Sequence, residues 1–156
     1  MSRNCWVITS QPYERVDEPG YAEEAQNAIY ETACRLTKER PVYLMRPLPE
    51  MKIDVPKTLS RNILFGRGNH DIKITLDEYH LRHKLVWEAQ DLAAQNCGAK
   101  ILNPLPHLCD QQYCYGSKDG RSLYSDDDHL SEFGNKLLVP MFEEIFATQP
   151  YPPSRH

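Results

Sequence analysis

Apolar residues in this chain follow two rhythms. Short runs with few polar interruptions occur at residues 6–9, 42–45 and 99–102, the pattern of strands covered on both faces. Between the first two, Tyr21, Ala25, Ala28, Ile29, Ala33 and Leu36 recur at helical spacing. Glutamates stand on the early turns of that segment and Lys and Arg on its last, so the charges complement a helix dipole over residues 21–40. A second stripe, Leu81, Leu85, Val86, Ala89, Leu92 and Ala93, predicts a helix over about 76–96, with Gly98 as its stop. A third, from Phe133 through Leu137, Leu138, Met141, Phe142 and Ile145 to Phe146, predicts one helix with Glu143 and Glu144 facing away, ending before Pro150. Strands alternating with helices predict an α/β fold, a three-layer, flavodoxin-like parallel sheet flanked by helices, because parallel neighbours need a crossover of roughly a dozen residues. Residues 46–71, rich in Pro, Gly and Asn, read as an elaborated loop with one short helix near 56–64. Residues 149–156 read as a disordered tail, which leaves 1–148 as one domain. Three strands are few for such a sheet, so the domain is expected to be incomplete at its N-terminus.

The length of 156 residues agrees with one domain. With 22 acidic against 18 basic side chains the net charge is -4, which offers no polycation for phosphates and argues against nucleic acid as a partner. The apolar runs are far shorter than the roughly 20 residues of a membrane span, and the opening MSRNCWVITS lacks the apolar stretch of a signal peptide. The chain is therefore read as cytoplasmic or as a piece of something larger. Of the five cysteines, Cys5, Cys34 and Cys97 sit singly in strand or helix segments and are expected to be free thiols packed as small hydrophobes. Cys109 and Cys114 share a polar loop. Their spacing suits a disulfide, which would mark an oxidising compartment, with a metal site using His107 or His129 as the rival. C-x4-C without a second spaced pair is a weak zinc signature, so the bridge is preferred. His70, His80 and His83 have no third ligand at a suitable spacing, and no metal is expected.

Ligands of open parallel sheets bind beyond the carboxyl ends of the strands, which points to residues 46–71 and 105–130. The second segment contains Tyr124-Ser-Asp-Asp-Asp-His129-Leu-Ser131. A carboxylate three residues before a histidine can reach Nδ1 and set the tautomer, leaving Nε2 to take a proton from a hydroxyl nucleophile. Asp126 and His129 have this spacing; Asp127 and Asp128 add negative charge, and Asp128 could instead serve the start of the final helix. The same run also fits a solvated acidic turn. The longer pattern, Tyr-x-Asp-x-x-His-Leu-Ser followed by Gly134 and an apolar helix, is more specific than the pair alone. Arg46 and Glu50, framed by Pro47 and Pro49, are candidates for substrate contact or for a loop salt bridge. Tyr79 and Trp87 on the long helix suit packing better than sugar stacking.

Several stretches, in order, carry a resemblance: Arg40-Pro-Val-Tyr-Leu-Met-Arg-Pro-Leu-Pro-Glu50, Asp54-Val-Pro56, Glu78-Tyr79 with Arg82, Leu108-Cys109 with Cys114, and Leu123 to Gly134. The chain resembles the C-terminal part of the SGNH hydrolase-like domain of membrane O-acyltransferases of acyltransferase family 3. The resemblance implies a Ser-His-Asp triad in which Asp126 orients His129 as general base, and a disulfide of Cys109 and Cys114 facing the periplasm. It further implies transfer of an acyl group, foremost acetyl, from an acetyl-CoA-derived donor to a hydroxyl of an envelope glycan such as lipopolysaccharide O-antigen. The chain itself holds no cofactor in this reading, and its partner is the N-terminal transmembrane acyltransferase domain of the parent inner-membrane protein. The sequence departs from the family in lacking a Gly-Asp-Ser nucleophile turn and the block with the oxyanion glycine. Ser10 alone stands at a strand's carboxyl end, and Arg3 with Trp6 matches the third block only loosely. The nucleophile is thus unassigned, and the chain alone is expected to be inactive, beginning near the third strand of a longer domain. A free esterase using water as acceptor and a non-catalytic glycan-binding domain are the alternatives.

Overall fold

A computed structural model describes residues 18–67 and 72–147. The strand expected at 6–9, together with Arg3, Cys5, Ser10, His70 and the tail 149–156, lies outside the described residues. The chain divides into two compact units, one of Met1–Arg46 with His83–Leu102 and one of Pro47–Arg82 with Asn103–His156.

In the first unit, α1 (Tyr21–Leu36) leads to β1 (Tyr43–Met45), which pairs in parallel with β3 (Lys100–Leu102), Leu44 opposite Ile101. The crossover between them includes α3 (Leu76–Cys97), whose first seven residues belong to the second unit. Ala33, Ala93 and Ala99 form a small buried core under Tyr30, Val42 and Leu44. Gly98 at φ 72 ends α3, a left-handed conformation in which other residues are strained. Two expectations are corrected here. Cys34 and Cys97 are joined in a disulfide with Cα atoms 5.1 Å apart; Cys34 follows the buried Ala33, and Cys97 closes the helix that carries Ala93. The stripe of α3 holds in part: Ala89 and Ala93 are buried, but Leu81 is 79% and Leu92 45% exposed, and Tyr79, His83 and Gln90 are buried instead. Two polar members of this face have backbone partners: Gln90 Nε2 donates to the Met45 carbonyl at 2.9 Å and the Tyr79 hydroxyl to the Pro47 carbonyl at 2.7 Å.

In the second unit, α2 (Val55–Leu64) begins at Asp54, whose Oδ1 accepts the Lys57 amide at 3.0 Å, with Pro56 in the first turn. β2 (Lys73–Thr75) pairs antiparallel with β4 (Tyr113–Tyr115). β5 (Ser117–Lys118) and β6 (Arg121–Ser122) form a hairpin whose turn residues Asp119 and Gly120 both have positive φ, 50 and 75. A short helix α4 (Leu105–Leu108) precedes the Cys109–Cys114 disulfide. The single helix expected at the end is two, α5 (Glu132–Leu137) and α6 (Val139–Ala147). Pro140 has no amide to donate to the preceding turn, and the ladder breaks at Leu138. Phe146, assigned to the buried stripe, is 70% exposed.

Helices and strands are mixed as in an α/β fold. The described strands form three separate two-stranded sheets, of which only β1–β3 is parallel.

Candidate active site

The acidic loop is built by local chemistry. Short carboxylate side chains readily accept backbone N–H groups two and three residues ahead, and Asp126 Oδ1 accepts the amides of Asp128 at 3.0 Å and His129 at 2.8 Å. The loop is closed where Tyr124 bridges Leu130 and the Ser125 amide donates to the His129 carbonyl at 2.8 Å. Asp126 thus has a free Oδ2, and it lies 2.9 Å from His129 Nδ1. A carboxylate only accepts, so Nδ1 carries the proton and Nε2 is the basic nitrogen. The His129 side chain is two-thirds exposed, open to a second reactant.

The electrostatics separate the two aspartates. The His129 and Asp128 amides hold the Asp126 carboxyl well below the usual carboxylate range, with the imidazole adding to them. Asp128 moves the other way, because burial pushes its carboxyl up. Its Oδ1 lies 2.8 Å from His129 Nδ1 but off the line of the N–H, and forms no hydrogen bond. Of the two carboxylates, Asp126 is the one hydrogen-bonded to Nδ1. The carboxylates and the imidazole each offer one ligand atom within 4.8 Å of the others, a set able to hold a cation; coordination through Nδ1 would exclude the Asp126–His129 hydrogen bond.

The loop is held from three sides. Buried Tyr124 donates its hydroxyl to the Pro49 carbonyl at 2.7 Å, and burial pushes its phenol pKa up, so it stays a donor. The Met51 amide donates to the Asp127 carbonyl at 2.7 Å and the Val55 amide to the Asp126 carbonyl at 3.0 Å, which ties the start of α2 to the carboxylate's own residue. Ser131 caps α5 by accepting the Gly134 amide at 3.1 Å, a role that the sequence left open to Asp128. A Cβ on Gly134 would collide with the Leu123 carbonyl oxygen, so the glycine of the motif is there for close packing.

Other candidates find different partners. The Arg46 side chain is 6% exposed, ion-paired with Asp91, donates to the Trp87 carbonyl and Gln90 Oε1, each at 3.1 Å, and lies 3.9 Å over the Trp87 ring. Glu50 pairs with Arg82. Arg46 and Glu50 are thus each held in an ion pair, with Asp91 and Arg82 respectively. The hydroxyls of Ser122, Ser125 and Ser131 donate to the carbonyls of Tyr124, His129 and Ser122 at 2.6, 3.1 and 3.0 Å. These three serines build the loop. Sequence reasoning missed the Tyr124 anchor and the Met51 and Val55 amides; the Pro47 and Pro49 framing was their only signal.

A family model described as the SGNH domain, fused to AT3 domains, matches residues 5–144. Neither the curated proteins nor the solved structures compared with the chain gave a match.

Proposed function

Because the chain belongs to the family of SGNH domains fused to AT3 domains, we propose that His129 is the general base of an acyl-transfer reaction and Asp126 the residue that orients it. The family supports the coarse role, acyl transfer or ester chemistry. The observation that carries the residue roles is the 2.9 Å contact between Asp126 Oδ2 and His129 Nδ1, made by a carboxylate whose other oxygen is already fixed by two amides.

The reaction runs through His129 Nε2. A serine hydroxyl gives its proton to Nε2 as its oxygen attacks the acyl carbon, and the imidazolium then protonates the leaving group. An acceptor hydroxyl next loses its proton to Nε2 and attacks the acyl-serine, whose oxygen takes the proton back. Asp126 stabilises the imidazolium at both stages without itself being protonated. The nucleophile of this scheme is a serine of the Gly-Asp-Ser type, a sequence absent from these 156 residues. The proposed donor is acetyl-CoA-derived and the acceptor an envelope glycan such as lipopolysaccharide O-antigen. In this reading the domain faces the periplasm, joined to an N-terminal transmembrane acyltransferase domain within a fuller flavodoxin-like sheet. Two disulfides support an oxidising location.

The test compares glycan acetylation by the AT3-fused protein with that of its His129→Ala variant, and hydrolysis of an activated acetyl ester by this chain with and without the same change. Transfer should vanish in the variant. Near wild-type transfer would refute the role of His129, and His129-dependent hydrolysis by the chain itself would place the nucleophile within these residues.

A further inference from the structure

Helix α2 ends in a surface that folding leaves in water. Ile63, Leu64 and Phe65 are 70%, 81% and 67% exposed, three large apolar side chains in succession. Leu64 and Phe65 also border an open cavity of about 430 Å³ with Pro56, Lys57, Ser60 and Arg61. Single exposed apolar residues are ordinary, but a contiguous set marks an interaction surface.

The charged residues of this stretch of chain have one sign. Residues 55–67 contain Lys57, Arg61 and Arg67 and neither Asp nor Glu. Lys57 is paired with Asp54 at the opposite end of the helix. Among the described residues Arg61 and Arg67 meet no carboxylate, and Arg67 lies 5.5 Å over the Phe65 ring. Apolar side chains beside guanidinium groups that meet no described carboxylate match the requirements of a membrane–water interface, where the former enter the acyl boundary and the latter meet lipid phosphates. A second copy of the chain fits poorly, because a two-fold contact through this face would bring the arginines of one copy toward those of the other.

We infer that the C-terminal end of α2 docks on the anionic surface of a phospholipid bilayer, with Ile63, Leu64 and Phe65 entering the interface and Arg61 and Arg67 on the phosphates. The inference rests on this surface and does not depend on the role of His129. Its consequence for the site is geometric. The Val55 amide, at the far end of this 10-residue helix, donates to the Asp126 carbonyl, so docking holds the Asp126–His129 loop about one helix length, ~15 Å, from the lipid contact.

The test is flotation of the 156-residue chain with vesicles of phosphatidylcholine alone and of phosphatidylcholine mixed with phosphatidylglycerol. Binding is expected to the mixed vesicles, to weaken as salt is raised, and to fall roughly fivefold for each of Arg61→Gln and Arg67→Gln. The double variant Leu64→Ser/Phe65→Ser should abolish it. These side chains are exposed, so unchanged thermal unfolding verifies that the variants are folded, and either arginine variant alone still tests the charge arm. Absence of binding to the mixed vesicles, equal binding to both compositions, or binding indifferent to the variants overturns the inference. So does a dimer in solution that Leu64→Ser/Phe65→Ser disperses, which would assign the face to a second copy.

Discussion

Replacing Gly134 by alanine sets two effects of opposite sign against each other. In an ordinary helix interior the change stabilises by about 1 kcal/mol, because alanine gives up less backbone entropy than glycine. In α5 the added Cβ would fall on the Leu123 carbonyl oxygen and come within 3.1 Å of Leu130 Cδ2. The Leu130 side chain can turn away. The Leu123 carbonyl has no such freedom, since it accepts the Ser131 amide at 2.9 Å while the Leu123 amide donates to the Gly116 carbonyl at 2.9 Å. Overpacking of this kind costs about 1–3 kcal/mol, and displacing the carbonyl from Ser131 costs about 1 kcal/mol more. Against the propensity gain, the net is a loss of about 1–3 kcal/mol, or a Tm lower by roughly 2–12 °C for a chain of this size. Thermal and urea unfolding of Gly134→Ala beside the wild type measures it. An unchanged or raised Tm would mean that propensity wins and that the close approach to Leu123 does not exist in solution.

Alkylation without reductant should label at most one of the five thiols, Cys5, with all five labelled after reduction; two or more labelled under oxidising conditions contradicts one of the two bridges, and peptide mapping of the labelled cysteines says which. Because the Cys34–Cys97 bridge spans 63 residues and Cys109–Cys114 only 5, loop-closure entropy makes its loss cost about 4 kcal/mol against about 2 kcal/mol, an order that paired Cys→Ala variants in urea will test. Tyr124→Phe leaves the Pro49 carbonyl without its buried donor and should lower stability by about 1–3 kcal/mol; a neutral result in denaturant titration would show that the anchor is dispensable. In the AT3-fused protein Asp126→Asn should slow transfer by a factor on the order of 10²–10⁴ through the wrong imidazole tautomer, and unchanged turnover excludes Asp126 as the orienting group. Hydrogen bonds to Lys52 and then Thr75 lower the Glu78 carboxyl to about 2, below its unfolded value of roughly 4.3. Its contribution to stability is therefore present above about pH 4 and lost as pH falls toward 2. Stability measured across that window should fall less steeply in Glu78→Gln than in wild type, and equal slopes would refute the pairing.

What the sequence determined by itself is what neighbours in the chain determine. The ranges of α2 and α3, the start of α1 (which ends at Leu36, short of the expected 40), the positions of β1 and β3, and the stop at Gly98 follow from periodicity and end signals confined to a few turns. The Asp126–His129 contact belongs to the same class: three residues separate the partners, and one carboxylate suffices to fold the turn that joins them. The break before Pro140 was legible too, and the continuous apolar stripe masked it. Tertiary structure decided everything that joins distant positions. Cys34 meets Cys97 where Ala33 of α1 and Ala93 of α3 share one small buried core, and nothing near either cysteine in the sequence announces it. The buried face of α3 is chosen in part by carbonyls at the end of β1 and in the segment after it, which take Gln90 and Tyr79, so hydrophobic spacing alone misplaced Leu81 and Leu92. Tyr124 reaches Pro49 across 75 residues. Local rules rank backbone conformations; which polar group finds a partner once water is excluded depends on where the rest of the chain has already packed.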